Sequence, residues 1–513
     1  MFVYDNPVIP GFNPDPSVCR AGDDFYLVTS SFEFFPGVPV YHSRNLVNWE
    51  LIGHCLIRQE QLPLENCQSS RGIYAPTIRY NDGIFYMTTT NTNLKADGKR
   101  YGNFIVHTKD INGQWSDPVW VGQAGIDPSL LFDNGKVYFC SNAGMPDDEE
   151  KGVYLCEINP LTGKILTWPR LISKGCGGKC TEAPHIYRIN GWYYLLLAEG
   201  GTSYGHMAVI QRSRGVYGPY ENCPHNPILS NIKLHRFPIQ AIGHADLVDD
   251  KNGAWWAVCL GIRLLNTQQR HNLGRETFLS PVRWEDDWPL CGEDGTVRSQ
   301  MKGPLPAKPE KPCFDITENF TSKKLSPHWN FIRNPDMPRY SLENGCLNLY
   351  GGAEGLSDKN PVFTGVRQQS FFINSSAKLR TGIAANARAG ITAFLNDSYH
   401  FDLAIEKRAG VLFVIVNRRV HDFEAVSFEA PVTDSGEIEL RITADMDWYC
   451  FGYRRGEEDW QSAGKAMTAG LSAEGTHGGC FTGVYIGLYS SGGKASFTGF
   501  SLLNLPEGGK NEQ

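Results

Sequence analysis

The sequence predicts an all-β protein, a five-bladed β-propeller followed by a β-sandwich, and three observations carry that prediction. A short polar motif recurs five times at intervals of 52 to 62 residues, and each copy leads through a turn into an aromatic β-run. Almost no segment shows the 3.6-residue apolar period of an amphipathic helix. Beyond a Pro- and Lys-rich stretch at residues 301–313 the texture changes to apolar and polar residues in alternation, bounded by turn signals.

The five units, in order, are "NPDPSVCRAGDDFYLVTSS" from Asn13, "YAPTIRYNDGIFYMTTTN" from Tyr74, "IDPSLLFDNGKVYFCSN" from Ile126, "TEAPHIYRINGWYYLLLAEG" from Thr181 and "GHADLVDDKNGAWWAVCLG" from Gly243. Their motif positions are Asp15, Ala75, Asp127, Glu182 and His244. From motif to aromatic strand the offset is 11 residues at Tyr26, Tyr86 and Tyr138, 11 or 12 at Tyr193 and Tyr194, and 12 at Trp256. Between them lie "AGDD", "NDG", "DNG", "ING" and "KNG", residue types that tolerate the positive φ of tight hairpin turns. Several units add a third strand with a trailing aromatic, as in "VYHSRNLVNWEL" and "VIQRSRGVYGPY". Repeats of about 50 to 60 residues, each a small antiparallel sheet, predict propeller blades. The expected division is a propeller over residues 1–300, a linker over 301–313 and a concanavalin-like sandwich over 314–513. The sandwich carries no visible catalytic motif, and its expected role is to stabilise the propeller and close one side of its channel into a pocket.

Bulk properties exclude several functional classes. Lys plus Arg total 48 against 55 Asp plus Glu, a net charge of −7 with no long basic run, so nucleic acid is not an expected partner. No apolar stretch approaches the roughly 20 residues of a membrane-spanning helix. The opening residues show no basic region followed by an apolar one, and the 14 cysteines are scattered, so reduced thiols and a cytoplasmic location are expected. Cys176 and Cys180 in "CGGKC" have no second pair or His cluster to complete a zinc site and read as small apolar residues near a strand.

In a propeller the first strand of each blade lies beside the central axis, so residues at the starts of those strands converge. Three of the five motif positions are acids: Asp15, Asp127 and Glu182. Carboxylates crowded into a partly desolvated site cannot all ionise freely, and one is pushed toward holding its proton. An acid and a base facing each other across a sugar perform glycoside hydrolysis. A gap of roughly 6.5–9.5 Å admits a water and inverts the anomeric carbon. A single Asp or Glu at a strand start is ordinarily a turn cap; three at equivalent repeat positions favour function.

The stretches "NPVIPGFNPDPSVCRAGDDFYLVTSSFEFFPGVPVYHSRNLVNWELIG", "GIDPSLL", "TEAPHIY", "AEGGT", "GHADLV" and "LGRETFL" together resemble glycoside hydrolase family 43, in its two-domain β-xylosidase and α-L-arabinofuranosidase branch. The resemblance implies an exo-acting, inverting hydrolase that takes single terminal pentoses from short arabino- or xylo-oligosaccharides. It implies Asp15 as general base, Glu182 as general acid, and Asp127 as the residue that raises the acid's pKa and orients it. Arg275 of "LGRET" matches a residue that contacts substrate and the Asp127 carboxylate. Phe32 and Phe34 match residues lining the first sugar subsite. Tyr74 stands in "RGIYAP" where relatives acting on xylosides often read "GGIWAP". Cys480 or Phe481 in "GGCFTG" is expected at the pocket border. His244 is expected on the axis beneath the site, where some relatives hold water and a calcium or sodium ion; no cofactor is expected to be required. Relatives of this architecture are often dimers or tetramers, so a homo-oligomer is also expected. "GIYAPTIRY", with "GHM" at Gly205–Met207, is closer to the arabinofuranosidase-leaning relatives. Two other readings have sequence requirements of their own. A fructosidase on the related five-bladed scaffold needs an "RDP" stretch where this chain has "IDPS". A non-catalytic sugar-binding propeller predicts loss of Asp15 or Glu182, and both are present.

Overall fold

A computed structural model describes residues 1–143, 150–235, 237–266 and 269–506. The chain forms two compact units, Met1–Arg263 with Arg275–Lys311, and Leu264–Gly274 with Pro312–Gln513. Residues 264–274, read from sequence as propeller, thus cluster with the second unit, and residues 301–311, read as linker, with the first.

The first unit is the five-bladed propeller. Each blade is a four-stranded antiparallel sheet whose strands follow one another in sequence. The blades open with Ser17–Ala21, Thr77–Asn81, Ile126–Asp133, Glu182–Ile189 and Ile239–Asp249, each paired to the aromatic run after its hairpin turn. These first strands pack against one another in succession, and the fifth returns to the first, which closes the ring around one axis. Hairpin turns at Asp82, Asn134 and Asn190 use a positive φ, followed by glycines at 83, 135 and 191, as the "DG" and "NG" signals predicted. The ring is fastened at its ends: Phe2–Asp5 pairs with Gln300–Gly303, and Tyr4 and Asn6 side chains donate to the Leu279 carbonyl in blade five. Apolar side chains of neighbouring blades interlock between the sheets, for example Tyr194 with Trp284 and Trp288.

The second unit is a sandwich of two antiparallel sheets. Its first sheet runs through Tyr340–Glu343, Cys346–Tyr350, Lys494–Asn504, Ile373–Arg380, Glu437–Ala444, Trp448–Arg454 and Gln461–Met467. The other includes Val411–Val420, Tyr399–Arg408, Arg388–Asn396, Tyr485–Ser491 and Val362–Arg367. Alternation along Ile373–Arg380, buried at every second residue, directs Ile373, Ala377 and Leu379 into one apolar core with Ile391, Leu403 and Leu488. No helix among the described residues is long and apolar enough to cross a membrane.

Candidate active site

The motif positions share a backbone device. Asp15, Asp127, Ala183 and His244 all hold φ between 46° and 55°, the left-handed region that side-chain-bearing residues avoid. In blades three, four and five the strand register shifts at these points, the mark of a β-bulge that turns a side chain out of the pleat. Strain of about 1–3 kcal/mol per residue is tolerated there because the ring fixes the strands on both sides. The bulge also corrects the repeat alignment. The residue equivalent to Asp15 in blade four is Ala183, with Glu182 entering one residue earlier. Counted from Ala183, the offset to the buried Tyr194 is the same 11 residues as in the first three blades.

Asp15 is buried and fully engaged. Its Oδ1 accepts from Arg275 Nη1 at 2.8 Å and lies 3.6 Å from His244 Nδ1, and its Oδ2 accepts from Ser30 Oγ at 2.5 Å. Burial pushes its pKa up, but Arg275, His244 and the Ser30 hydrogen bond together hold it below the usual carboxylate range. Asp15 is therefore a carboxylate.

The other two acids behave oppositely. Glu182, whose strand begins beside Ala198, is raised to about 7 by burial first and by the Asp15 charge second, against the opposing pull of Arg275. Asp127 is pushed well above the carboxylate range by burial, then by Glu182 and Asp15. Its Oδ2 accepts the Ala183 N–H at 3.1 Å, so the blade-four bulge ties the backbone next to Glu182 directly to Asp127. Glu182 and Asp127 thus act as a pair that retains a proton near neutral pH, opposite an ionised Asp15.

The remaining expected residues divide. Arg275 is buried in the cluster, pairs with Asp15 and with Thr202 Oγ1 at 3.1 Å, and its charge acts on Asp127. Phe32 lies beneath its guanidinium at 5.6 Å and meets Tyr74 at 5.2 Å between ring centres. With 2% of its surface exposed for Phe32 and none for Phe34, both rings are buried walls; Phe34 packs on Phe12. Tyr74 is half-buried, its hydroxyl held by Arg71 Nη1 at 3.2 Å and donating to the Ser70 carbonyl. Phe481 belongs to the second unit, half-buried just after two glycines of positive φ, Gly478 and Gly479. His244 faces Asp15 as a buried imidazole whose pKa burial drives below the usual range. It offers one protein ligand, and among the described residues no group of three or more His, Cys, Asp or Glu side chains is placed to hold a metal ion. Cys176 and Cys180 are likewise unpaired.

Four residues of the cluster were not singled out from sequence. Ser30 and Thr202 brace Asp15 and Arg275. His206 is buried, lowered to about 3 chiefly by burial, and donates Nδ1–H to the Ala241 carbonyl. Glu199 accepts from the backbone N–H groups of Cys176 and Gly178 at 2.6 and 2.9 Å, fixing the loop that delivers Glu182. The motifs "VTSS", "AEGGT" and "GHM" held these residues, but nothing in a linear spacing shows a brace that closes only across blades.

Residues 4–289 match the family model for glycosyl hydrolases family 43, and residues 317–501 match a β-xylosidase C-terminal concanavalin A-like domain. The chain is 45% identical over 501 residues to a non-reducing end α-L-arabinofuranosidase of Bacteroides ovatus, covering 95% of this chain and 91% of that one. It is 36% identical to a xylosidase/arabinosidase of Butyrivibrio fibrisolvens, over 99% of this chain and all of the relative. Among solved structures, the Bacteroides ovatus xyloglucan PUL protein GH43B superposes with a TM-score of 0.91 at 43% identity, over 98% of this chain and all of that one.

Proposed function

The chain belongs to glycosyl hydrolases family 43, and from that premise we propose an exo-acting, inverting glycosidase that releases one terminal pentose at a time from short oligosaccharides. Asp15 is the general base that takes a proton from the attacking water. Glu182 is the general acid that protonates the departing glycosidic oxygen. Asp127 shares its proton field and orients it through the Ala183 N–H. Arg275 keeps Asp15 ionised and aimed. The observation that carries this reading is the split in protonation: Asp15 is held below the usual carboxylate range while Glu182 is raised to about 7. Two carboxyl groups whose surroundings push them apart are the signature of an acid–base pair. Inversion requires them to stand roughly 6.5–9.5 Å apart, with room for water between.

α-L-Arabinofuranose is the preferred sugar and β-D-xylose the second. The preference is supported by the 45% identity to an arabinofuranosidase and by Tyr74 in place of the tryptophan frequent in xyloside-acting relatives. The two sugars present similar hydroxyl positions, so activity on both is expected.

The test is hydrolysis of aryl α-L-arabinofuranosides and β-D-xylosides, with the anomer of the first-formed product followed by proton NMR. Product of inverted configuration, and a Glu182→Gln variant that loses far more activity on poor leaving groups than on good ones, are the expected results. A retained anomer, or equal losses across leaving groups, overturns the assignment.

A further inference from the structure

A cavity of about 700 Å³ opens on the propeller at the same end as the acid cluster, between the segment Pro63–Arg71 and the strand ends at Thr92–Tyr101 of blade two. Its size lies within the range of about 300–1,000 Å³ typical of small-molecule sites. Its position follows from the blade's register. The first strand of blade two, Thr77–Asn81, starts three residues after Tyr74, so the antiparallel second strand, Ile84–Leu94, ends on Tyr74's side, and the third, Arg100–Thr108, begins there.

The walls are built. Asn91 and Asn93 side-chain amides both donate to the Pro63 carbonyl, and Asn93 also donates to the Glu65 carbonyl at 3.1 Å. The Thr92 N–H donates to the Gly72 carbonyl at 2.7 Å, and the Gly72 N–H donates to Thr92 Oγ1 at 3.1 Å. Gly72 is required there: its φ is 95°, and a Cβ would stand 2.5 Å from the Phe32 carbonyl oxygen.

The lining has a charge opposite to that of the whole protein. Arg71, Lys95 and Arg100 face one side-chain carboxylate, Glu65, in a chain whose net charge is −7. Tyr101 adds an aromatic ring, with Lys95 Nζ 5.4 Å from its centre. A neutral sugar needs hydrogen-bonding groups and a flat apolar face but no excess of cations. Three cations beside an aromatic ring match a sugar that carries a carboxylate, recognised through charge-assisted hydrogen bonds and ring stacking. The cavity also connects to the chemistry. Arg71, part of its wall, holds the Tyr74 hydroxyl, Tyr74 packs on Phe32, and Phe32 lies under the guanidinium that holds Asp15.

We propose that this cavity binds a hexuronic acid unit on the leaving part of the oligosaccharide, so that acidic decorated oligosaccharides are preferred over neutral ones. The proposal rests on the glycosidase reading above, and its test separates the two. Titration calorimetry on the Glu182→Gln protein, which prevents turnover, compares a glucuronic-acid-bearing arabinoxylo-oligosaccharide with its carboxyl-reduced counterpart. The acidic ligand is expected to bind about tenfold more tightly, as two or three partly exposed ion pairs supply. The preference is expected to shrink toward unity at about 0.5 M salt, which screens such pairs. A further Lys95→Ala/Arg100→Ala change removes it while binding of the reduced ligand persists. Equal affinity for the two ligands at low salt, or a preference that survives both salt and the double change, overturns the proposal. If the double variant does not fold, the salt series decides alone. Wild-type hydrolysis of an aryl arabinofuranoside, measured in parallel, tests the glycosidase reading independently of this binding result.

Discussion

Two charged clusters are built on the innermost strands of the blades, each drawing on four of the five blades and the second lying a few residues further along the chain, and they are built to opposite ends. At the strand starts Asp15, Asp127, Glu182 and His244 form the candidate site. Deeper along the same strands lies Asp246, without any exposed surface, which accepts from Ser17 Oγ at 2.6 Å, the Val18 N–H at 3.1 Å, both Arg79 terminal nitrogens at 2.8 and 3.1 Å, and the Tyr187 hydroxyl. Arg79 also meets His185 Nδ1 at 3.0 Å. Four blades are thereby pinned through one carboxylate. Burial pushes the Asp246 pKa up, yet Arg79, His185 and the hydrogen bonds carry it far below the ordinary range. The deep cluster is satisfied: one acid, one guanidinium, and donors for the remaining lone pairs. The upper cluster has three acids to one guanidinium and cannot be satisfied by ionisation alone. The difference teaches that burial by itself does not mark a functional carboxylate; an imbalance of charge among buried groups does.

The sharpest way to break that comparison is to neutralise one acid in each cluster. Asp15→Asn should cost at least about 10³-fold in kcat and lower stability less than a change at Asp246, because the amide keeps the shape and an acceptor oxygen for Arg275 while losing the base. Asp246→Ala should instead unfold the propeller readily, at about 3–5 kcal/mol, since Arg79 is left buried without its counter-charge. The paired change Arg79→Met/Asp246→Leu should recover most of that loss, because an apolar pair of similar volume needs no compensation. Thermal melts and initial rates on the same preparations check all three. A stable Asp246→Ala protein, or an Asp15→Asn protein that melts before it, would sink the distinction.

The pH response comes next in size, and Asp246 and Glu182 give it opposite signs. Asp246 has a folded pKa below its unfolded value, so its contribution is present above the unfolded carboxylate range and is lost as pH falls through the folded value. Glu182 is raised from 4.5 to about 7, so stability is fullest below the unfolded value and declines as pH climbs through the folded one. Glu182→Gln, while nearly abolishing turnover of poor leaving groups, should therefore raise stability at pH 8 by about 1–3 kcal/mol and leave it almost unchanged at pH 4. Wild-type kcat/KM should fall on the alkaline side near pH 7 as Glu182 loses its proton. A Glu182→Gln protein less stable than wild type at pH 8 contradicts the strained-acid picture.

How much of this was legible before coordinates depends on whether the information repeats. The propeller was readable because five copies of motif, turn and aromatic strand carry the same period, and the acids were readable because they occupy the motif. Glu182 was placed one residue out of alignment, since the bulge at Ala183 is a backbone event that only a register shift reveals. Arg275 was tied to Asp127 by resemblance; its ion pair with Asp15 was not legible. Which carboxylate a guanidinium reaches is decided by side-chain geometry across the axis. Phe32 and Phe34 matched residues lining the first sugar subsite, but how deeply their rings are buried was not legible, because aromatic residues near a site and aromatic residues of a core have the same letter. The deep Asp246 network left no signal, because Ser17 and Asp246, two residues after their motif positions, and Arg79 and Tyr187, four residues after theirs (counted from Ala183 in blade four), are four different residue types at those repeat positions.

The smallest effect separates bracing from chemistry within the upper cluster. Glu199 is buried and touches no reacting group in the reading above. It accepts from the Cys176 and Gly178 N–H groups and lies 3.4 Å from Thr181 Oγ1, immediately before Glu182. The loop comes so close that a Cβ at Gly175 or Gly178 would lie 2.3 or 2.5 Å from a carboxylate oxygen of Glu199. Glu199→Gln keeps the shape but replaces one acceptor oxygen with an NH₂ group facing a backbone N–H, so the loop must shift and carry Glu182 with it. A displacement of that kind should lower kcat by about tenfold with KM nearly unchanged. If Glu199 positions the acid, the loss is steeper for poor leaving groups than for good ones, because only the former need a well-aimed proton. If Glu199 merely stabilises the blade, Tm falls and all leaving groups lose activity alike. A leaving-group series measured beside a thermal melt distinguishes the two, and a flat series removes Glu199 from the catalytic apparatus.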